Sequence, residues 1–246
     1  MAGKIDNAGL ARFCINKVGV PYVMGTNGRT FTRSMCNDLV KRNPGGWFTA
    51  ARLPAVKGYI GRQATDCHGL VEWFVREQSG VAYDTTADAA YNAATAKGAI
   101  GTIPELPGVC VRYKGHAGVY IGGGYVVEAR GFNYGVCITP LKGRPWTHWY
   151  KHPRIKYTKT ALPAPSPAKV GKQTGRYSIV WLQLALNRQI SVGYIKGKPL
   201  DVDGIYGSKT AAAAAAYWKR KGWTKEGQVW GVGQSTIKAL GKGMQG

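Results

Sequence analysis

The sequence predicts an α+β domain followed by a small all-α module, on three observations. Helix-spaced apolar residues come first, and short β-prone runs joined by glycine turns follow them. A proline-rich segment then separates this part from alanine-rich, basic helices. At roughly 100–200 residues per domain, a chain of 246 residues has room for two unequal domains.

From Asn7 to Val18 the apolar positions Leu10, Phe13, Cys14 and Val18 recur at helical spacing, and Gly19 provides a stop. The long segment from Thr26 to Thr65 predicts a helix near Ser34 to Lys41 within a basic lid or a stabilising wrap, since loops of this length are often functional. Gly69 to Gln78 reads as a second helix through Leu70, Val71, Phe74 and Val75, opened by Asp66-Cys67 and closed near Gly80.

Val109 to Tyr113, Ala117 to Ile121 and Tyr125 to Ala129 are β-prone, and Gly122-Gly123-Gly124 marks a hairpin between the last two. Alternation puts Tyr125, Val127 and Ala129 on one face and Val126, Glu128 and Arg130 on the other.

Thr160 to Lys169, TALPAPSPAK, has the composition of an extended linker that buries no core. The expected division is therefore residues 1–159, a linker over 160–169, and a second domain over 170–246. In the latter, Ile179 to Leu186 and Thr210 to Arg220 predict helices, and VWGVGQSTIKAL opens a third. Between the first two, Asp203-Gly204 predicts a tight turn, Gly207 a positive φ, and Thr210 or Ser208 a helix cap.

Composition excludes several classes. With 44% hydrophobic residues, 8 Trp and 14 Tyr, the chain is no disordered polymer. No run approaches the roughly 18–20 apolar residues of a membrane span, and MAGKIDNAGLARF has no apolar leader core, so the expectation is an unexported chain with no stable membrane insertion. Five cysteines at irregular spacing suit reduced thiols. Cys110 and Cys137 lack the paired spacing of a metal knuckle, so neither zinc nor a cofactor is expected. The net charge of +22 calls for a polyanionic partner: nucleic acid, an anionic membrane or a wall polymer.

Cys67 stands at the mouth of a helix, where free N–H groups and the dipole favour a thiolate with a depressed pKa. The competing reading is a buried structural cysteine. A thiol nucleophile needs a base, and there are four histidines. His68 diverges from its neighbour by about 100° in a helical turn, and His148 and His152 fall in a basic, aromatic stretch that suggests a surface role. His116, opening an amphipathic strand, is the candidate. Glu128, on the neighbouring strand, is the candidate orienting group, against a plain Glu128–Arg130 surface pair.

The strings VGVPYVMGT, DCHGLVEW and GHAGVYIGGGYVVEARG together resemble, in order and spacing, the NlpC-type cysteine peptidases that cut peptidoglycan stem peptides, over roughly residues 7 to 155. The resemblance implies a papain-like domain of helices packed on an antiparallel sheet. It implies Cys67 as nucleophile, His116 as base and then acid, and Glu128 as orienter. Tyr22 would shape the oxyanion site, and Asp66 and His68 would flank the sulfur in the substrate pocket. Two positions depart from the pattern: Glu128 stands where the family more often has histidine, and His68 where it usually has serine.

LDVDGIYGSKTAAAAAAYWKR resembles the small three-helix peptidoglycan-binding domains, which implies that the second domain binds wall. Trp218, Trp223 and Trp230, with Tyr206, are its candidate wall-contacting aromatics, one of the three tryptophans being expected at the surface. A net +10 from Lys169 onward suits anionic wall polymers. A calcium loop at Asp201 and Asp203 lacks the EF-hand register.

The combined resemblance implies a monomeric, phage-like endolysin, made in the host cytoplasm and acting at the bacterial wall after release, with peptidoglycan as its partner and no obligatory nucleic acid. The implied target is the D-γ-glutamyl to diamino-acid bond. The alternative is an N-acetylmuramoyl-L-alanine amidase, and a third reading is a basic nucleic-acid-binding protein on an inactive peptidase fold. No zinc knuckle, RNA-recognition signature or basic heptad region supports the third.

Overall fold

The computed structural model describes residues 5–43, 46–159, 161–166, 169–223 and 231–244. Helix α1 (Asn7–Asn16) is capped by the Asp6 carboxylate, which accepts from the Gly9 N–H at 2.7 Å. Next come β1 (Asn27–Thr30), α2 (Arg33–Arg42), α3 (Leu53–Lys57) and β2 (Gln63–Thr65), with β1 and β2 paired antiparallel. This segment encloses its own small core of Phe31, Leu39, Phe48 and Val56, and α2 falls where helical spacing predicts it. Helix α4 (Gly69–Ser79) ends at Gly80, whose left-handed φ of 69° lets its N–H return to the Arg76 carbonyl.

After α5 (Ala87–Asn92), six strands build one antiparallel sheet: β3 (Lys97–Ala99), β4 (Cys110–Tyr113), β5 (His116–Gly122), β6 (Tyr125–Ala129), β7 (Val136–Pro140) and β8 (His148–Tyr150). Their spatial order is β3-β8-β4-β5-β6-β7. The alternation read for β6 holds. Val127 and Ala129 join Leu10, Ile15, Leu70 and Phe74 in the main core, and Val126 turns to a second cluster with Val111, Tyr120 and Trp146. The strands β3, β7 and β8 lie outside the β-prone runs read from the sequence; β3 and β8, of three residues each, carry too few alternations to signal a strand.

The remaining elements are β9 (Lys169–Val170), α6 (Arg176–Ser191), α7 (Ser208–Lys221), β10 (Val232–Gly233) and α8 (Gln234–Gly243), with β9 and β10 paired. The proline-rich segment does not stand off as an extended spacer over its described residues. Leu162 is buried and its carbonyl accepts from Trp181 Nε1 at 3.2 Å. Helix α6 packs on α1, where the Arg12 guanidinium lies 5.0 Å from the Tyr177 ring centroid. Gly204 makes the expected turn at φ 73°. At the start of α7 the cap is Gly207 itself at φ −96°, without a side-chain cap bond, so neither the positive φ at Gly207 nor the Thr210 or Ser208 cap forms. Thr210 instead turns into the core, 3.4 Å from Gln183 Nε2.

Candidate active site

The site forms where the start of α4 meets the start of β5. Asp66 and Cys67 precede α4, and the Asp66 carboxylate accepts from the Gly69 N–H at 2.8 Å and from the Gly25 N–H at 2.9 Å. Asp66 thereby caps the helix and ties the Tyr22 loop to it. Burial pushes the Asp66 carboxyl up to about 6 against the lowering effect of those two N–H groups.

The half-buried Cys67 thiol points at the Gly115 carbonyl oxygen, 3.9 Å away. The N–H of Ala117 also serves the sulfur. These two residues flank His116, so the tertiary fold brings Cys67 to the chain segment that carries the base candidate.

The expectation of a depressed thiol pKa is not met. Burial, and then the Asp66 charge, push the Cys67 thiol up to about 11, against the N–H groups of Ala117, His68 and Cys67 itself. Burial outweighs these donors, and the leading N–H of α4 goes to the Asp66 side chain instead of the sulfur. In the free site the sulfur is therefore a thiol that needs a base. Replacing Asp66 by asparagine removes a neighbouring negative charge, so the thiol pKa is expected to fall while burial still holds it above its ordinary value. Alkylation of Cys67 by iodoacetamide, followed against pH, checks the direction of this shift. An unchanged profile would show that Asp66 does not act on the sulfur.

His116 is buried, and its Nε2 lies 2.8 Å from Glu128 Oε2. An ionised carboxylate only accepts, so in the neutral ring Nε2 carries the proton and Nδ1 keeps the lone pair. Glu128 has no solvent exposure. Burial would raise its pKa, but hydrogen bonds from His116, Arg144 and Thr139 hold it down to about 2. Thr139 Oγ1 donates to Oε1 at 2.7 Å. The ion-pair partner of Glu128 is Arg144, at 2.7 Å, and the surface pair with Arg130 does not form, since the Arg130 guanidinium lies 4.0 Å from the Tyr134 ring centroid.

Tyr22 is close enough for the Cys67 and Asp66 charges to raise its phenol pKa, although burial is the larger cause. Its ring packs on Trp47 of the 26–65 segment at 5.7 Å, so the insert supplies a wall beside the sulfur. Arg52 lies over the same indole at 4.9 Å.

His68 is not brought to the pocket. It is buried, with Nδ1 3.2 Å from Glu72 Oε1 and its ring 5.6 Å from that of His152. His152 is likewise buried instead of superficial, and burial pulls its pKa down to about 3. The chain after β8 runs back beneath α4, which spacing along the sequence does not reveal.

In the C-terminal part Trp218 is a core residue whose Nε1 donates to Thr236 Oγ1 at 3.0 Å, and Tyr206 is buried as well. Their apolar area is spent on joining α7 to α6 and α8, so neither offers a flat face for a sugar ring. Trp223 is half-buried, and Trp230 lies outside the described residues. Arg144, Thr139, Tyr113 and Trp146 were not predicted at the site, because each acts across the sheet from a segment with no motif of its own.

A thiol set against the two residues that flank an imidazole, itself anchored on an ionised carboxylate, is an arrangement suited to nucleophilic acyl transfer. Among solved structures, the chain is similar to the peptidoglycan hydrolase RipB from Mycobacterium tuberculosis (21% identity, 61% of this chain and 68% of that one, TM-score 0.38). It is similar also to the P60 domain of an antigen from M. avium subspecies paratuberculosis (20% identity, 61% and 96%, TM-score 0.40). A third similar structure is NlpC2 from Trichomonas vaginalis (18% identity, TM-score 0.38); the match takes in 61% of this chain and about half, 49%, of the Trichomonas protein. No curated protein matches. The model of the NlpC/P60 family matches residues 19–155, more than half of the 246, a span that includes Tyr22, Cys67, His116 and Glu128. This chain belongs to the NlpC/P60 family.

Proposed function

We propose that this protein is a peptidoglycan hydrolase of endolysin type that cleaves the D-γ-glutamyl to diamino-acid bond of the stem peptide. Family membership supports the chemistry, because NlpC/P60 members are cysteine peptidases that hydrolyse peptidoglycan. The observation that carries the reading is the buried, ionised Glu128 on His116 Nε2, with the Cys67 thiol set against the two residues flanking that histidine.

His116 Nδ1 takes the thiol proton as the sulfur attacks the scissile carbonyl. The tetrahedral oxyanion is met by the Cys67 N–H and the Tyr22 hydroxyl. Collapse to a thioester releases the amine, which takes its proton from His116, and the same ring then activates water to hydrolyse the thioester. Glu128 stays ionised throughout and holds the imidazole in the required tautomer.

The C-terminal helices, with their net +10, serve in this reading as a tether to anionic wall polymers, raising the local concentration of enzyme on an insoluble substrate. Half-buried Trp223 is the one described tryptophan of the candidate wall-binding set with accessible area. The place of action is the bacterial wall.

Mass spectrometry of soluble fragments released from a defined, purified peptidoglycan tests the bond. A new free amine on the diamino acid is the expected product. Liberated lactyl groups would instead make the enzyme an N-acetylmuramoyl-L-alanine amidase and overturn the assigned bond.

A further inference from the structure

Arg144 and Trp146 reach the His116–Glu128 pair from one short stretch, Gly143-Arg144-Pro145-Trp146, in the connection between β7 and β8. Arg144 forks onto Glu128, with Nε donating to Oε1 at 2.8 Å and Nη2 to Oε2 at 2.7 Å. A two-pronged contact fixes the plane of the carboxylate as well as its charge. Oε2 is the same oxygen that holds His116 Nε2, so the plane of the guanidinium sets where the imidazole can dock.

Two residues further on, the Trp146 indole lies nearly parallel to the His116 ring, with centroids 5.5 Å apart and planes at 17°. Tyr113, directly across the β4–β5 pairing from His116, stacks on it at 4.9 Å. Tyr113 and Trp146 are themselves 5.5 Å apart, so the three rings form a closed triangle.

Further details argue that this is more than core filling. Trp146 is buried, yet its Nε1 has no hydrogen-bond partner among the described residues, so the indole keeps its place against the imidazole at a cost in hydrogen bonding. Gly118, two residues after His116 on β5, leaves the space the indole occupies. A Cβ there would lie 3.0 Å from Trp146 Cη2 and 2.7 Å from Val126 Cγ1. The glycine of His-Ala-Gly-Val-Tyr thus admits the indole over the site.

We propose that Arg144 and Trp146 are positioning residues, a clamp in which the guanidinium sets the Glu128 carboxylate and the indole holds the His116 ring against it. The proposal rests on the thiol-peptidase reading above. Without the clamp, the imidazole can turn about its side-chain torsions, and water reaches the Nε2–H···Oε2 bond that keeps Nδ1 unprotonated.

The test uses the full chain with R144M, R144K, W146A and W146F, and C67A as the inactive baseline. It reads kcat and KM on purified peptidoglycan together with the ring ¹⁵N–¹H signals of His116, which are resolvable among only four histidines. R144M and W146A are expected to lower kcat about 100-fold, as a reacting group displaced by about 1 Å does. KM should stay within about twofold, because neither side chain is assigned to bind substrate. R144K, which keeps the charge but not the fork, should recover little, and W146F most of the rate. The Nε2–H signal, sharp in the parent protein, should broaden by solvent exchange in R144M and W146A.

Parent-like kcat with a sharp Nε2–H signal in R144M and W146A would overturn the proposal. A lower melting temperature with kcat and signal both intact would do the same, since that is the behaviour of a merely structural pair. Should W146A not fold, R144K and W146F keep the test, W146F retaining the bulk that fills the site. If the parent protein releases nothing from peptidoglycan, the proposed function fails, while the Nε2–H signal still decides the clamp.

Discussion

Replacing Cys67 by alanine is expected to abolish wall hydrolysis, a fall on the order of 10⁶-fold in kcat, since losing the nucleophile of such a unit costs about as much as losing the whole unit. The fold should survive. The residue is half-buried and its sulfur is held only by the long approach to the Gly115 carbonyl and by neighbouring backbone N–H groups, so the loss of stability should be within about 1 kcal/mol. Clearing of a purified peptidoglycan suspension, read beside a thermal melt of the same sample, separates the two effects. Full hydrolysis by the alanine variant would mean that the thiol is not the nucleophile. Cys14, Cys36 and Cys110 are buried, while Cys67 and Cys137 are both half-buried, so alkylating agents should reach these two, and inactivation should follow the modification of Cys67.

Glu128→Gln carries the second large effect, on rate and stability together. Four hydrogen bonds converge on this carboxylate, from His116, Thr139 and twice from Arg144. An amide offers one oxygen and presents an NH₂ group to donors, so the imidazole loses the partner that sets its tautomer. A decrease in kcat of on the order of 10³-fold or more is expected, as when a triad acid is made an amide. Arg144 is then left half-buried without its carboxylate partner, at a cost of about 2 kcal/mol, which should lower the melting temperature by roughly 6 °C. A variant with parent kcat would remove Glu128 from the mechanism.

The same carboxylate makes stability depend on acid. Its pKa is about 2 folded against 4.5 for the free group. Its contribution is therefore fully present above about pH 4.5 and is lost as pH falls through about 2, amounting to about 3 kcal/mol. Asp66 acts with the opposite sign. Its folded pKa of about 6 lies above the ordinary 3.8, so the folded state is favoured below about pH 4 and loses that advantage as pH rises through 6. Between them the two acids place the best stability in mildly acidic solution, whereas thiol chemistry improves toward alkali.

Much of this was legible along the chain. Helices α1, α4, α6 and α7, the β5–β6 hairpin and α2 follow from apolar spacing and glycine punctuation, because a helix or a hairpin is set by residues a few positions apart. The placements of the candidates Cys67, His116 and Glu128 were legible for a related reason: a cysteine before a helix and a histidine opening a strand are local placements, and a two-residue alternation put Glu128 on one definable face of its strand.

Packing decided the rest, since it depends on residues that no periodicity joins. Along the chain, Asp66 reads as a neighbour in a motif and His68 as pocket lining. Folded, Asp66 takes the helix N–H, burial and then the Asp66 charge keep the thiol protonated, and His68 turns inward to Glu72. Trp218 and Tyr206 went the same way, into the core, because burying a large ring outweighs presenting it to water. Arg144 and Trp146 show the limit most plainly. They lie 16 and 30 residues from Glu128 and His116, in a connection with no motif, and only the closure of the sheet brings a guanidinium and an indole onto the pair. A side chain's pKa, exposure and partners are set by everything that surrounds it in space, and most of those surroundings arrive from distant parts of the chain.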